Sequence, residues 1–372
     1  MRRLVFAAAL GLSVAMSPPA NTDSLYIGDG NDNTIKRFDA STGKYLGVFV
    51  TNKDCPQNPN PPPLGCLYGP RGLIFDGSDH LLVADQNVNL SFNGAIYEYS
   101  AKTGAFVKAL VPYTDPNAPP APRGIVLYND DVLFVASQTG TGVPKDPCET
   151  SCVQAFDASN GKFLRFLPPP DELAASFHPR GVVIGPDDNL LYVSNFPDPS
   201  TGLGGQILVY NPETGNFQAT FASNDTCKCD FNRPEGLVFG PDGNLYVTSF
   251  RRDPGDTDKI LIFAGPAKSK PGAFIGQIVL DVPDQVSMDP SQRAFAQALL
   301  FGPQGHLFVP ITGPSPAAGQ SFTGKYAGDV RRYNVQTNSF TLFINSAGKG
   351  QPLGSPWYLT FGNTDPGTLT YD

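Results

Sequence analysis

The sequence predicts an all-β fold, a six-bladed β-propeller of four-stranded blades whose first blade is closed by a C-terminal strand. Three observations carry that prediction. A strand–turn–strand phrase recurs along the chain at a spacing of roughly 52 to 62 residues, a period that marks propellers, solenoids and arrays. Turn formers abound, with 39 glycines and 37 prolines in 372 residues, yet aromatic and β-branched residues persist between them. No long stretch carries the apolar period of an amphipathic helix.

The phrase is clearest from Arg233 to Val247. Leu237-Val238-Phe239 is a β-rich run, Pro241-Asp242-Gly243-Asn244 supplies turn chemistry, and Leu245-Tyr246-Val247 returns. Its opening recurs as Pro70-Arg71-Gly72, Pro122-Arg123-Gly124 and Pro179-Arg180-Gly181, and more weakly as Ala296-Gln297-Ala298 and Pro356-Trp357-Tyr358. These are the first strands, a, of successive blades. Strand b is of the Leu-Tyr-Val type, from Leu25-Tyr26-Ile27 to Leu307-Phe308-Val309. Strand c pairs an aliphatic residue with an aromatic three positions later, as in Ile35/Phe38, Ile207/Tyr210 and Val330/Tyr333. A Thr-Gly or Asn-Gly turn then leads into strand d, as at Thr42-Gly43 and Asn160-Gly161.

Counting strands sets the closure. Strands b and c each occur six times. The first blade opens on strand b at Leu25, and Trp357 to Phe361 is a surplus strand a at the other end. Six blades with the C-terminal strand completing blade one leave no open edge at the seam. Thr368-Leu369-Thr370-Tyr371 has no place in that count and is compatible with the start of a further strand.

Two domains of origin are expected: a signal peptide at 1–20 and the propeller at 21–372. Arg2-Arg3 precedes the apolar run Leu4 to Leu12, and small residues follow at Ser13, Ala15 and Ala20. That run is too short to span a bilayer comfortably, and no other segment is a spanning candidate. The mature protein is therefore expected to be secreted or periplasmic, and a monomer. Six cysteines suit an oxidising compartment. They fall into the local pairs Cys55/Cys66, Cys148/Cys152 and Cys227/Cys229, although six cysteines admit fifteen pairings. The last pair is the doubtful one, because a bridge across one residue strains disulfide geometry. A net charge of −8 with no basic stripe argues against a nucleic-acid partner.

The long connections all join b to c or d to a, and so emerge on one face of the ring. Long loops on a rigid scaffold are the usual seat of binding. No zinc spacing, cofactor motif or complete calcium loop is present in the sequence, so no metal or cofactor is expected.

The blade phrase, Pro-x-Gly-aliphatic-x-Phe followed by Pro-Asp-Gly-Asn-Leu-Tyr-Val, an Ile-x-x-Tyr strand and a Thr-Gly turn, resembles NHL-repeat propellers. More distantly it is similar to the gluconolactonase/senescence-marker lactonase superfamily. The resemblance covers about 21–372 and implies the architecture; such folds host enzymes, binders and scaffolds alike. In the lactonase relatives, acidic and amide residues at the x of Pro-x-Gly hold a divalent metal at the channel mouth. Here those positions are Arg71, Arg123, Arg180, Glu235, Gln297 and Trp357. One carboxylate beside three guanidiniums does not suit a hard cation, which wants several oxygen ligands.

An arginine crescent suits an anion instead, since guanidinium pairs carboxylate or phosphate oxygens bidentately. A second ring after strand b, Asp29, Asp85, Ser137, Asn195, Ser249 and Ile311, is expected beside it. Asp29 and Asp85 are placed to pair with the arginines, which would make the crescent structural. The leading reading is a binder of an anionic small ligand, or of an extracellular protein or polysaccharide, through the loop-bearing face. The alternative is a lactonase-like hydrolase or lyase at the same mouth, with the three arginines as electrophilic stabilisers and His178 or Glu235 as acid–base group. His178 is the one histidine near the mouth; His80 and His306 fall in turns of the opposite face.

Overall fold

A computed structural model describes residues 23–138, 151–197, 201–253, 255–280, 293–312, 328–345 and 352–372. The expected signal peptide and Cys148 lie outside these residues.

The blades follow one another in chain order. The first contributes β1 (Ser24–Asp29), β2 (Thr34–Asp39) and β3 (Tyr45–Val50). The second is β4 (Pro70–Phe75), β5 (His80–Asp85), β6 (Ala95–Ser100) and β7 (Phe106–Val111). The third is β8 (Pro122–Tyr128), β9 (Val132–Ser137), β10 (Cys152–Asp157) and β11 (Phe163–Leu167). The fourth is β12 (Pro179–Ile184), β13 (Leu191–Asn195), β14 (Gln206–Tyr210) and β15 (Phe217–Ser223). The fifth is β16 (Arg233–Phe239), β17 (Leu245–Phe250), β18 (Lys259–Phe263) and β19 (Phe274–Val279). The sixth is β20 (Leu300–Phe301), β21 (Leu307–Ile311), β22 (Asp329–Asn334) and β23 (Ser339–Ile344). The last strand, β24 (Pro356–Phe361), pairs antiparallel with β1, Leu25 opposite Phe361 and Gly28 opposite Tyr358. The result is six four-stranded antiparallel sheets, with β24 as the inner strand of blade one.

Strands b and c are buried on both faces, because each blade packs against a neighbour on either side. That is why the strand-c aliphatic and its aromatic partner, three residues apart and so on opposite faces, are both core. Ile35, Phe38, Ile207, Tyr210, Val330 and Tyr333 are all buried. Aromatic edges join the blades. Tyr26 packs on Phe75 of the next blade at 4.9 Å between ring centroids, Tyr192 on Phe239 at 5.0 Å, and Tyr246 on Phe301 at 5.1 Å. At the seam Phe308 packs on Phe361 of β24 at 5.0 Å, so the closing interface repeats the internal ones. Blade six departs from expectation in its inner strand. The ladder covers only Leu300–Phe301, and Phe295 rejoins through a bridge to Thr312.

The glycine of Pro-x-Gly has a reason in this packing. The inner strands of adjacent blades meet around the axis, and a Cβ on Gly72 would stand 2.6 Å from the carbonyl oxygen of Arg123. One on Gly181 would stand 2.6 Å from that of Glu235. Backbone lies against backbone there, and no side chain fits.

The C-terminal tail does not begin a further blade. It crosses the end of the channel remote from the Pro-x-Gly residues. The Leu127 N–H donates to Pro366 O at 2.9 Å, and the Ile184 N–H to Gly367 O at 3.0 Å. Leu369, in left-handed conformation with φ 56°, packs against the hydrophobic clusters of every part of the ring. It also lines the narrow axial cavity of ≈ 50 Å³ with Gly72, Gly124, Gly181, Gly236 and Tyr358. The channel is thus stoppered at one end.

Cys55 and Cys66 are bridged, with Cα atoms 5.7 Å apart, within the connection from β3 to β4. Cys227 and Cys229 are also bridged, contrary to the doubt that their spacing raises. The intervening Lys228 takes a left-handed conformation as the C-cap of a one-turn helix, Asn224–Cys227, which brings the two Cα atoms to 5.2 Å. Cys152 opens β10; its expected pairing with Cys148 lies outside the described residues.

Ring closure is reinforced by Asp29. Its carboxylate accepts from the N–H groups of Gly354 and Ser355, each at 2.8 Å, just before β24, and from Lys36 Nζ at 2.6 Å. Asp29 and Lys36 are both buried. Asp29→Ala leaves the N–H groups of Asn31, Gly354 and Ser355 without their acceptor and the buried Lys36 ammonium with Asp32 alone, and is expected to cost about 3 kcal/mol. Hydrogen exchange checks this: amides of β24 should lose protection before those of β16, and uniform loss would contradict a seam role for Asp29.

Candidate functional site

The inner strands bulge at the x-Gly step. Their pairing with strand b shifts register between Pro70 and Leu73, Pro122 and Ile125, Pro179 and Val182, and Pro234 and Leu237. A bulge interrupts the in–out alternation and re-aims a side chain. Here the x residues Arg71, Arg123, Arg180 and Glu235 line one axial cavity with Gln297 and Trp357, so all six sequence-predicted mouth residues converge. The cavity measures ≈ 290 Å³.

The arginines are held mainly by amides. Arg71 donates from Nε to Gln86 Oε1 at 2.7 Å and from Nη1 to Gln297 Oε1. Arg123 donates to the same Gln297 oxygen at 3.1 Å and to Gln138 Oε1 at 3.2 Å. Only Arg180 meets a carboxylate, Glu235, at 3.6 Å. The Arg71 guanidinium lies 3.5 Å from the Trp357 ring centroid, and that of Arg180 4.7 Å from Phe196. Among the described residues no carboxylate stands within ion-pair distance of Arg71 or Arg123. Four buried polar atoms at this site have no hydrogen-bond partner: Nε of Arg123, Nε of Arg180, Oε2 of Glu235 and the Tyr358 hydroxyl.

The electrostatics follow. Burial, and then the neighbouring Arg123, push the Arg71 guanidinium well below its ordinary value. Burial lowers Arg180 to about 10, against the pull of Glu235. Tyr358 is raised to about 12 by burial and then by Glu235. The charged form of Arg71 is thus short of both solvent and counter-charge, and that of Arg180 short of solvent.

The second predicted ring is not at the mouth. Asp29, Asp85, Ser137, Asn195 and Ser249 are buried, with their oxygens turned outward onto the loops that enter strand a. Asp85 accepts from the Tyr68 N–H at 2.8 Å, Ser137 from Ala121 at 3.0 Å, and Asn195 from His178 at 2.7 Å. Ser249 accepts from Asn232 and Arg233, each at 3.3 Å. These residues clasp the entry to each inner strand. Asp29 and Asp85 therefore do not pair with the arginines. The residues one position later face the mouth: Gln86, Gln138, Phe196, Phe250 and Thr312. Strand alternation was the available signal, since the residue after an outward-facing clasp must point inward. His178, the candidate acid–base group, does not line the cavity, whereas Glu235 does. His80 is the first residue of β5, with Nδ1 2.9 Å from Asp76.

The donor set does not fit a hard divalent cation. The mouth offers one carboxylate, one amide, an indole and three guanidiniums, and among the described residues no three His, Cys, Asp or Glu side chains converge. No step is derived through a metal.

The fold and mouth define a six-bladed propeller with a blind, arginine-lined cup. No protein-family model and no curated protein matches the chain. Solved structures do. One is a nidogen/laminin complex, with TM-score 0.56 and 14% identity over 91% of this chain and 97% of that one. A protein of unknown function from Bacteroides caccae gives TM-score 0.51 and 12% identity over 84% and 90%. A luciferin-regenerating enzyme gives 0.50 and 14% over 90% and 92%. At 12–14% identity these likenesses show the propeller fold alone.

Asp85 gives a pH test of the clasp. Burial raises its carboxyl to about 8, opposed by the Tyr68 N–H and Arg71. The unfolded value is about 4. A carboxyl raised on folding contributes stability below the unfolded value, and that contribution is lost as pH rises through the folded one. The affected window is therefore about pH 4 to 8. Asp85→Asn keeps the acceptor for Tyr68 and cannot ionise. Its melting temperature should match wild type at pH 5 and exceed it by a few degrees at pH 9. Parallel pH profiles would show that Asp85 ionises without penalty.

Proposed function

We propose that this is an extracytoplasmic propeller that binds a small anion in the arginine-lined cup. The observation that supports it most is the partnering of Arg71 and Arg123, which meet amides and not carboxylates. Three guanidiniums against one glutamate leave two positive charges in excess around one cavity. Like charges held together out of water repel strongly, and an oxyanion relieves that cost while taking paired N–H donors. The compartment rests on the leader-like N-terminus and the two bridges at Cys55–Cys66 and Cys227–Cys229. No helix among the described residues is long and apolar enough to cross a membrane.

Recognition of another extracellular macromolecule by the same face has the nidogen/laminin likeness in its favour. The cup favours the small anion. A hydrolase or lyase would need a proton-transfer group in the cup; Glu235 is the carboxylate there, and Arg180 holds it.

Citrate titration with thermal melting tests the proposal at matched ionic strength. Wild type should show a saturable rise in melting temperature, since a ligand at a hundred times its dissociation constant adds roughly 2.7 kcal/mol. Arg123→Gln should abolish the rise and match or exceed wild-type stability without ligand, because it removes a like charge and breaks no ion pair. A flat wild-type response, or an unaltered response in the variant, would remove the case for the cup.

A further inference from the structure

We infer that the anion taken by this cup carries a flat apolar body, and that an aryl carboxylate is its chemical class; this rests on the anion-binding reading above. The cup is divided in polarity. On blades two and three the cavity is lined by Arg71 and Arg123, which Gln86 and Gln138 hold. On blades four to six Phe196, Phe250 and Phe295, each half-buried, line the same cavity alongside Arg180, Glu235 and Gln297, and supply its apolar surface. The division comes from the position that follows each clasp: amides in blades two and three, phenylalanines in blades four and five.

The aromatic wall is held in place. Phe250 and Phe295 meet edge to face, with centroids 5.2 Å apart and planes at 87°. Behind them the Arg293 guanidinium lies 4.1 Å from the Phe295 centroid, and Asp258 fixes that guanidinium through contacts of 2.6 and 2.9 Å. Phe196 rests against Arg180. Trp357, by contrast, is already covered by Arg71. A small hydrophilic anion would satisfy the arginines and leave three phenylalanine edges facing water. A carboxylate on a ring covers both walls at once, its oxygens toward Arg71 and Arg123 and its ring against Phe250 and Phe196. A volume of ≈ 290 Å³ falls at the low end for ligand pockets, which fits one or two fused rings.

The test compares three probes by calorimetric titration of the full chain: acetate, 2-naphthoate and 2-naphthamide. The first two carry the same charge, and the last two the same ring system. Naphthoate is expected to bind at least tenfold more tightly than either other probe. Phe250→Ala should lower the naphthoate-to-acetate affinity ratio about tenfold, and a cooperative melting transition shows that the variant is folded. Acetate binding as tightly as naphthoate, with citrate still effective, would overturn the aryl preference and leave the anion site standing. Naphthamide binding as tightly as naphthoate would overturn it in the other direction, as a purely apolar site. No response to citrate or to any carboxylate would overturn both readings. Should Phe250→Ala fail to fold, the three-probe series on wild type decides alone.

Discussion

The whole molecule depends on a close approach of backbones around the ring axis. Adjacent inner strands meet where Gly72 lies against the Arg123 carbonyl and Gly181 against that of Glu235, with no room for a Cβ. This contact sets how tightly the blades close. It also sets the bulge at the x-Gly step, because a strand that passes so near its neighbour cannot keep regular alternation there. The bulge delivers the x side chain to the cup. Closure and site are consequences of one geometric step, and the arginines are crowded because the blades are.

Around that step the polar residues divide into two concentric sets. The inner set, Arg71, Arg123, Arg180, Glu235 and Gln297, shares one cavity. The outer set, Asp29, Asp85, Ser137, Asn195 and Ser249, accepts backbone N–H groups from the loops that enter strand a. Those loops differ from blade to blade, and in blades one to five a buried side-chain acceptor fixes the approach of the strand whatever the loop contains; blade six has Ile311 at that position. At the other end of the channel Leu369 stoppers the axis, and the cup is blind.

The architecture was legible because every blade repeats the same physical requirements: a glycine where backbones touch, an aromatic edge to bridge blades, a Gly turn before strand d. The closing strand was legible for the same reason, since β24 ends on Phe361 as other inner strands end on Phe75, Phe239 and Phe301. The inner ring of the site was legible because it follows proline at a fixed step. The outer set was read one residue out of phase: acidic side chains near arginines invite pairing, but alternation sends Asp85 outward and Gln86 inward. The tail had no repeat to betray it. A single leucine acting as a plug has no periodicity, and its contacts come from blades far apart in sequence. The Cys227–Cys229 bridge depends on a left-handed Lys228, a conformation that no composition rule supplies.

The choice of amides over carboxylates is the informative feature of the cup. Gln297 sits between Arg71 and Arg123 and accepts from both. A glutamate there would accept the same hydrogen bonds and neutralise one charge, and Gln86 and Gln138 pose the same alternative on the outside. A ring that needed only to hold its blades together would gain from such carboxylates, since a buried charge is costly until it is paired. Amides orient the guanidiniums without discharging them. They satisfy part of the Arg71 and Arg123 forks and leave Nε of Arg123 without an acceptor; Nε of Arg180, beside Glu235, lacks one too. On the anion-binding reading this is the arrangement expected of a cup whose missing acceptor is the ligand. The amides preorganise the donors, and the charge that is left over supplies the attraction.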